Sequence, residues 1–212
     1  MATIDSTRLR DMFVGIADAV EARKSWLCEL DGAIGDADHG IAMALGFNAA
    51  RDAVSALDLS SADPTLVLNT AAKSFLNAVG ASSGPLYATA LMRAAAAVKG
   101  KSALDDSDAI VMLEAMAKGI QDRGKAEIGE KTMIDAWLPA ARAAAEARAE
   151  GKSLGASLDA AVEAAQGGAE ATKDMIAAKG RSSRLGERSL GHMDPGAASA
   201  VIVIEAIRDA LR

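Results

Sequence analysis

The chain has 212 residues, half of them hydrophobic, and its 29 acidic against 23 basic residues give a net charge of −6. This composition excludes a disordered chain, and the acidic balance without a basic stripe argues against a nucleic-acid partner. No apolar run approaches the roughly 20 residues of a membrane span, and the N-terminus lacks the order of a secretory signal. Because Cys28 is the single cysteine, no internal disulfide can form, and we expect a cytoplasmic protein that meets no membrane.

Alanine and leucine, the strongest helix formers, recur along the sequence and predict an all-α fold. Helical periodicity and chain breakers predict eight helices within a single domain that spans residues 1–212. In chain order the expected helices cover about Asp5 to the Trp26–Leu30 region, Ile41 to Leu57, Asp63 to just before Gly80, Ser83 to Lys99, Asp105 to Arg123, Met133 to Glu150, Ser153 to near Lys179, and Pro195 to the C-terminus.

Three of the four prolines agree with these helices. Pro64, Pro85 and Pro195 fall at expected first turns, where a missing N–H costs nothing, whereas Pro139 falls inside the sixth helix. The apolar run Val201–Ile204 could also be a buried strand. It leads directly into further helical sequence and has no partner strand elsewhere, so we expect a buried helix.

Glycine and polar residues concentrate in the first, third, fifth and seventh loops, at about residues 32–40, 80–84, 124–132 and 180–194. Short connections make neighbouring helices antiparallel, so these four loops are expected to meet at one end of the bundle. Longer loops are in any case more polar, but length alone does not explain the carboxylate spacing in the first loop. The sequence therefore predicts a site at that end.

Asp31, Asp36 and Asp38 lie within eight residues, in a segment that also contains Gly32, Gly35 and Gly40. Three carboxylates this close repel one another unless a cation lies among them, and hard oxygen ligands suit Mg²⁺ or Ca²⁺. An EF-hand is excluded because, counted from Asp36, position twelve is Phe47 instead of glutamate. The alternative is structural: Asp38 could cap the second helix and Asp36 could shape the turn.

Three helix starts on the same end could bind phosphate through free backbone N–H groups. They are His39-Gly40-Ile41, Ser82-Ser83-Gly84-Pro85 and Asp194-Pro195-Gly196. His39 and His192 could instead form a mixed zinc site with the neighbouring aspartates, although a phosphate contact is favoured for His39. Neither a Walker A motif nor a protein-kinase pattern is present.

Five segments together resemble one family in order and over nearly the whole chain. They are Gly35–Gly40, Gly80–Tyr87, Thr132–Pro139, Gly180–Ser189 and Gly191–Ala197, and the chain resembles the L subunit of dihydroxyacetone kinases. The resemblance implies an all-α, eight-helix antiparallel up-and-down barrel with a nucleotide site at one end.

The resemblance also implies roles for individual residues. Asp31, Asp36 and Asp38 would hold two Mg²⁺ ions that bind the nucleotide phosphates. The phosphates would be cradled by His39, Gly40, Ile41, Ala42, Ser82 and Ser83, and the pocket completed by Gly124, Met133, Arg181, Asp194, Pro195 and Gly196. Catalysis would be electrostatic, with Arg181 and the metal held by Asp36 and Asp38 offsetting charge on the phosphoryl group.

In that family the phosphoryl donor is either ATP, or a phosphotransferase-system protein carrying phosphohistidine that rephosphorylates bound ADP. With no substrate domain in this sequence, we expect a separate subunit working with a K-type subunit that holds dihydroxyacetone or a four-carbon keto sugar; a homodimer is left open. Two other functions stay open: a helical dinuclear-magnesium hydrolase of ADP-ribose-like substrates, and a nucleotide-loaded sensor that docks on a transcription regulator.

Overall fold

The computed structural model describes residues 3–212, and its regular structure there is helical. The helices are α1 (Ser6–Ile34), α2 (His39–Ser55), α3 (Pro64–Ala78), α4 (Ser83–Ala97), α5 (Asp106–Gly124), α6 (Ile134–Ala149), α7 (Leu154–Ala171) and α8 (Pro195–Leu211). Two 3₁₀ segments, Thr172–Asp174 and Ser182–Ser189, lie between α7 and α8. The prediction of an all-α, eight-helix fold is confirmed, and the run Val201–Ile204 lies within α8 as expected.

The helices form a closed ring. Each helix packs against the next, and α8 packs against α1. Four aromatic side chains meet in the interior, with Phe47 and Phe75 at 4.9 Å between ring centroids and Tyr87 and Trp137 at 6.2 Å. Edge-to-face contacts of this kind are worth about 0.5–1.5 kcal/mol beyond the area that they bury. The core therefore holds the helices, and hence the loops between them, in fixed positions.

The C-terminal ends of α1 and α7 differ from the prediction. Helix α1 continues past the predicted Trp26–Leu30 region to Ile34. The side chain of Ile34 is buried, and Gly32 within the helix costs only about 1 kcal/mol. Helix α7 ends at Ala171 instead of near Lys179. The buried Thr172 hydroxyl donates to the carbonyl of Ala169 at 2.6 Å, and the chain then turns into extended backbone at Met175.

Pro139 lies inside α6, where it has no N–H to donate to the carbonyl of Asp135 four residues earlier. Gly168 of α7 packs against this carbonyl so closely that a Cβ there would lie 1.8 Å from the oxygen. Gly168 thus allows α7 to pack closely against α6 at the carbonyl that Pro139 leaves without its helical donor.

The N-terminal segment packs at the end of the ring that carries the α2–α3, α4–α5 and α6–α7 loops. Ile4 and Leu104 exchange two backbone hydrogen bonds, of 2.9 and 2.8 Å, in an isolated antiparallel bridge. Arg8 donates to the carbonyls of Ala210 and Arg212 at the C-terminus of α8. Among residues 3–212, no helix combines the length and the apolar character needed to span a membrane.

Candidate functional site

The loops α1–α2, α3–α4, α5–α6 and α7–α8 line one cavity of about 700 Å³ at a single end of the ring. Most of the residues predicted for the site line it: Asp31, Asp36, Asp38, His39, Ala42, Ser82, Ser83, Gly124, Met133, Arg181, Asp194, Pro195 and Gly196. The structure therefore brings together residues as far apart in the sequence as Asp31 and Gly196, as the antiparallel arrangement of helices predicts.

Gly40 and Ile41 do not line this cavity. Gly40 packs against α1, where a Cβ would lie 2.1 Å from the carbonyl oxygen of Lys24. The side chain of Ile41 is half exposed on the outer face of α2. Gly40 is thus required by the contact between α1 and α2, which the sequence pattern alone could not distinguish from a phosphate-binding glycine.

The three aspartates converge. One carboxylate oxygen from each of Asp31, Asp36 and Asp38 lies within 4.8 Å of the others. Asp31 is buried in the last turn of α1, and Asp36 and Asp38 are exposed in the turn that follows. Oxygen atoms at this spacing form the donor set that Mg²⁺ accepts, with the exposed face left for other ligands. The residues present therefore fit a magnesium site.

Asp31 also builds the turn that carries the other two carboxylates. Its Oδ2 accepts the backbone N–H groups of Asp38 at 2.9 Å and His39 at 3.2 Å. A Cβ on Gly35 would lie 2.2 Å from its Oδ1, so only glycine fits there. Asp38 itself makes no capping hydrogen bond with its side chain. The capping alternative therefore does not describe Asp38, because Asp31 satisfies the start of α2 instead.

Arg181, in the α7–α8 connection, pairs with Asp36, and its Nη1 lies 3.9 Å from Oδ2 of Asp38. The ion pairs of Arg181 within residues 3–212 are with these two aspartates, and Glu187, six residues along the chain, is not among its partners. The guanidinium thus supplies positive charge where the carboxylates converge. Such a pair weakens when a metal ion competes for the same oxygens.

The helix starts differ between the two ends of the ring. The helices that begin at the far end, α1, α3, α5 and α7, are each capped by their own N-cap side chain. Three of the four that begin at the cavity, α2, α4 and α6, have no such capping bond. Some N–H groups at these starts have other partners: Ile134 of α6 donates to the hydroxyl of Thr132, and His39 of α2 donates to Asp31. Among the described residues, no hydrogen bond takes the N–H groups of Gly40 and Ile41 in α2 or of Ser83 in α4. Free N–H groups and the partial positive charge of a helix N-terminus favour an anionic ligand such as phosphate.

His39 lies at the start of α2, and burial lowers its pKa to about 4, with Asp31 opposing part of the effect. Its Nε2 lies 2.9 Å from the hydroxyl of Ser199, which itself donates to the carbonyl of Gly196. The ring must therefore donate from Nε2, which assigns the neutral Nε2–H tautomer. No group of three metal-ligating side chains among residues 3–212 includes His39 or His192, so the structure gives no support to the zinc alternative.

Asp194 caps α8 by accepting the N–H of Ala197 at 2.7 Å, and burial raises its pKa to about 7. The capping bond and the nearby Lys131 ammonium counteract part of that shift. Asp194 is thus a buried carboxyl group at the N-terminus of α8. Its ionisation is sensitive to the charges around it.

Sequence analysis missed four basic residues that line the cavity: Arg123, Lys131, Lys179 and Arg184. Their loops were predicted to reach the site, but the direction of each side chain could not be read from the sequence. The cavity also has apolar walls from Ile34, Leu86 and Ile120. A ligand with both an apolar ring and several negative charges matches these surroundings.

Fold and cavity together define an all-α domain in which a cluster of three carboxylates lies beside several helix starts at one end. The chain belongs to the DAK2 domain family, whose model matches residues 33–209. This confirms the resemblance drawn from the five sequence segments.

Named relatives cover almost the whole chain. It is 41% identical over 190 residues to the "PEP-dependent dihydroxyacetone kinase 1, ADP-binding subunit DhaL" of Listeria innocua, covering 90% of this chain and 89% of the relative. It is 35% identical over 203 residues to the corresponding ADP-binding subunit of Escherichia coli, covering 96% of each. These names support the kinase prediction and give no support to the hydrolase alternative.

A solved structure shares the fold. The native dihydroxyacetone kinase of C. freundii matches with a TM-score of 0.73 and 25% identity, over 94% of this chain and 34% of that one. This chain thus spans about a third of that kinase, so the remaining two thirds have no counterpart in it.

Proposed function

We propose that this chain is the ADP-binding subunit of a dihydroxyacetone-type kinase, in which residues 1–212 act as one nucleotide-binding domain. The observation that carries the proposal is the cavity in which three converging carboxylates face uncapped helix N-termini. Magnesium and a polyphosphate together satisfy both features, since the cation takes the carboxylates and the anion takes the N–H groups. The near full-length identity to ADP-binding subunits supports the choice of ligand.

Asp31, Asp36 and Asp38 would hold two Mg²⁺ ions, which when bound offset the negative charge of the phosphates. Ala42, Ser82, Ser83 and the start of α8 surround the space beside them and would position the phosphates. Arg181 would contribute a second source of positive charge when the metal displaces it from Asp36. Its planar guanidinium can bind two phosphate oxygens at once.

We propose that a phosphotransferase-system donor rephosphorylates ADP that stays bound to this chain. The names of its relatives support this, since they describe ADP-binding subunits of PEP-dependent or PTS-dependent kinases. The donor would convert the bound ADP to ATP. The γ-phosphoryl group would then pass to a hydroxyl of a short keto sugar held by a K-type subunit, as the bond to ADP breaks, ADP is regenerated and the hydroxyl proton is lost. A K-type subunit and a donor protein would be its partners, which the nearly complete coverage of relatives that are themselves subunits supports.

The nucleotide content of the purified protein tests this function. Denaturation of the native protein should release about one ADP per chain, because bound ADP would be a permanent cofactor. The Asp36→Ala variant should release none, while its helical circular dichroism stays near that of the wild type. Asp58→Ala, in the α2–α3 loop at the opposite end, is the control and should retain ADP. If Asp36→Ala binds nucleotide and magnesium normally, the assignment of the metal site is wrong.

A further inference from the structure

Lys131 is an unusual residue for the backbone position that it occupies. It lies in the α5–α6 loop with φ +59°, in the left-handed region, where six of the nine described positive-φ positions are glycine. A left-handed lysine costs free energy that glycine would not. Its side chain is nevertheless buried, with 1% of the residue exposed. Unlike glycine, the lysine places an ammonium group that donates hydrogen bonds in this buried position.

The ammonium joins two segments of the α7–α8 connection to the α5–α6 loop. Its Nζ donates to the carbonyl of Thr172, at the end of α7, and to that of His192, just before α8, at 2.5 Å each. Thr172 in turn accepts the backbone N–H of Asp194 at 2.9 Å through its hydroxyl oxygen. The lysine thus fixes both sides of the turn that leads into α8.

The charge of Lys131 acts on the same turn. Burial lowers the pKa of Lys131, and the carboxylates of Asp194, Asp135 and Asp174 oppose that shift. Conversely, the ammonium stabilises the ionised form of Asp194, which is buried and caps α8. Lys131 and Asp194 both line the cavity. Removing the lysine would therefore leave a buried carboxylate without its cation at the start of α8.

We propose that Lys131 is a positioning residue for the nucleotide: it holds Asp194 and the N-terminus of α8 in the geometry that accepts phosphate. This inference rests on the proposed nucleotide-binding function. Lys131 acts on the ligand through Asp194 and the α8 turn, in the way that groups outside a metal or anion site orient the groups within it.

The test compares two lysines of one loop. Lys125 is also left-handed, with φ +51°, but is exposed and does not line the cavity. Lys131→Met should weaken the binding of Mg-ADP to the stripped protein by about 10- to 100-fold, whereas Lys125→Met should bind like the wild type. Calorimetric titration with Mg-ADP measures both. Wild-type affinity in Lys131→Met overturns the inference, while a wild type that binds no Mg-ADP overturns the proposed function instead.

A double variant separates positioning through Asp194 from general loss of structure. Asp194→Asn removes the buried charge but keeps a side chain that caps a helix. Added to Lys131→Met, it should recover part of the lost Mg-ADP affinity, measured against Asp194→Asn alone in a double-mutant cycle. It also serves if Lys131→Met alone fails to fold. A double variant that is unfolded, or that binds no more tightly than Lys131→Met, overturns the inference.

Discussion

Asp31 shows how one side chain can serve both structure and chemistry. It ends α1, accepts the two backbone N–H groups that begin α2, and presents its remaining oxygen to the cluster with Asp36 and Asp38. Since its capping partners are backbone groups, Asp31 is fixed before any metal arrives. Asp36 and Asp38 are exposed and adjustable, so the rigid member of the cluster is the one that orients the turn.

Arg181 distinguishes a surface ion pair from a phosphate contact. Arg181→Lys keeps the charge but loses the planar fork, so phosphoryl transfer with a K-type partner should slow by about tenfold or more. The melting temperature of the nucleotide-free protein should hardly change, because exposed pairs stabilise by only about 0–1 kcal/mol. Arg188→Lys is the control, because Arg188 lies in the 3₁₀ segment that directly follows Arg181 but does not line the cavity. Wild-type transfer rates in Arg181→Lys would return this residue to a surface role.

Asp194 makes the stability of the nucleotide-free protein depend on pH. Burial raises its pKa from 3.8 to about 7, so the folded state binds the proton more tightly than the unfolded state. The stabilising effect is complete below pH 3.8 and is lost as the pH rises through about 7, by at most about 1.4 kcal/mol per pH unit.

The variant Asp194→Asn isolates this effect. Urea unfolding at several pH values should show the wild type losing stability relative to Asp194→Asn as the pH rises from about 4 to about 7. The difference between the two curves is needed because His39 acts in the opposite direction: burial lowers its pKa to about 4, so it destabilises the fold as the pH falls. A pH-independent difference would show that Asp194 is ionised throughout.

At the scale of elements, the contact between α6 and α7 depends on one glycine of an adjacent pair. Gly168→Ala places a Cβ against the carbonyl of Asp135 and should lower the free energy of unfolding by about 1–3 kcal/mol. Gly167→Ala meets nothing within 4 Å and should raise it by about 0.5–1 kcal/mol. Chemical denaturation of both variants measures the contrast, and equal effects would contradict the close packing of these helices.

The helices were predictable because their signals are local: apolar periodicity, N-cap residues and prolines all lie within a few positions of the boundaries that they set. The end of α7 was not, since it depends on Thr172 meeting Asp194 and on Ala178 donating to the carbonyl of Glu130, contacts made only after folding. Site residues divide in the same way. The convergence of the aspartates could be predicted from their spacing in the sequence. The role of Lys131 could not, because its side chain is buried by contacts that no local sequence pattern indicates.

At the scale of the whole molecule, the two ends of the ring have different tasks. One end is closed by the Ile4–Leu104 bridge, by capped helix starts and by Arg8 at the terminus of α8. The other end carries the cavity, where α2 and α4 begin without a capping bond from their own N-cap side chains. The two ends thus differ in that the far end is closed by these contacts, whereas the other end is open as the cavity.

That division predicts that the chain alone is a poor kinase. The groups that line the cavity are suited to a metal ion and to phosphate. The histidine that lines it, His39, already donates its ring N–H to Ser199, so it is not placed to hold a keto sugar. Without a K-type subunit to position the acceptor hydroxyl, phosphorylation of dihydroxyacetone should be slower by on the order of a hundredfold or more. Both ATP and a PEP-dependent phosphotransferase donor should be assayed, each with and without the K-type subunit. The Asp36→Ala variant with the complete set of partners is the control and should be inactive. Rapid phosphorylation of dihydroxyacetone by this chain alone would contradict the prediction and place the acceptor site within its own cavity.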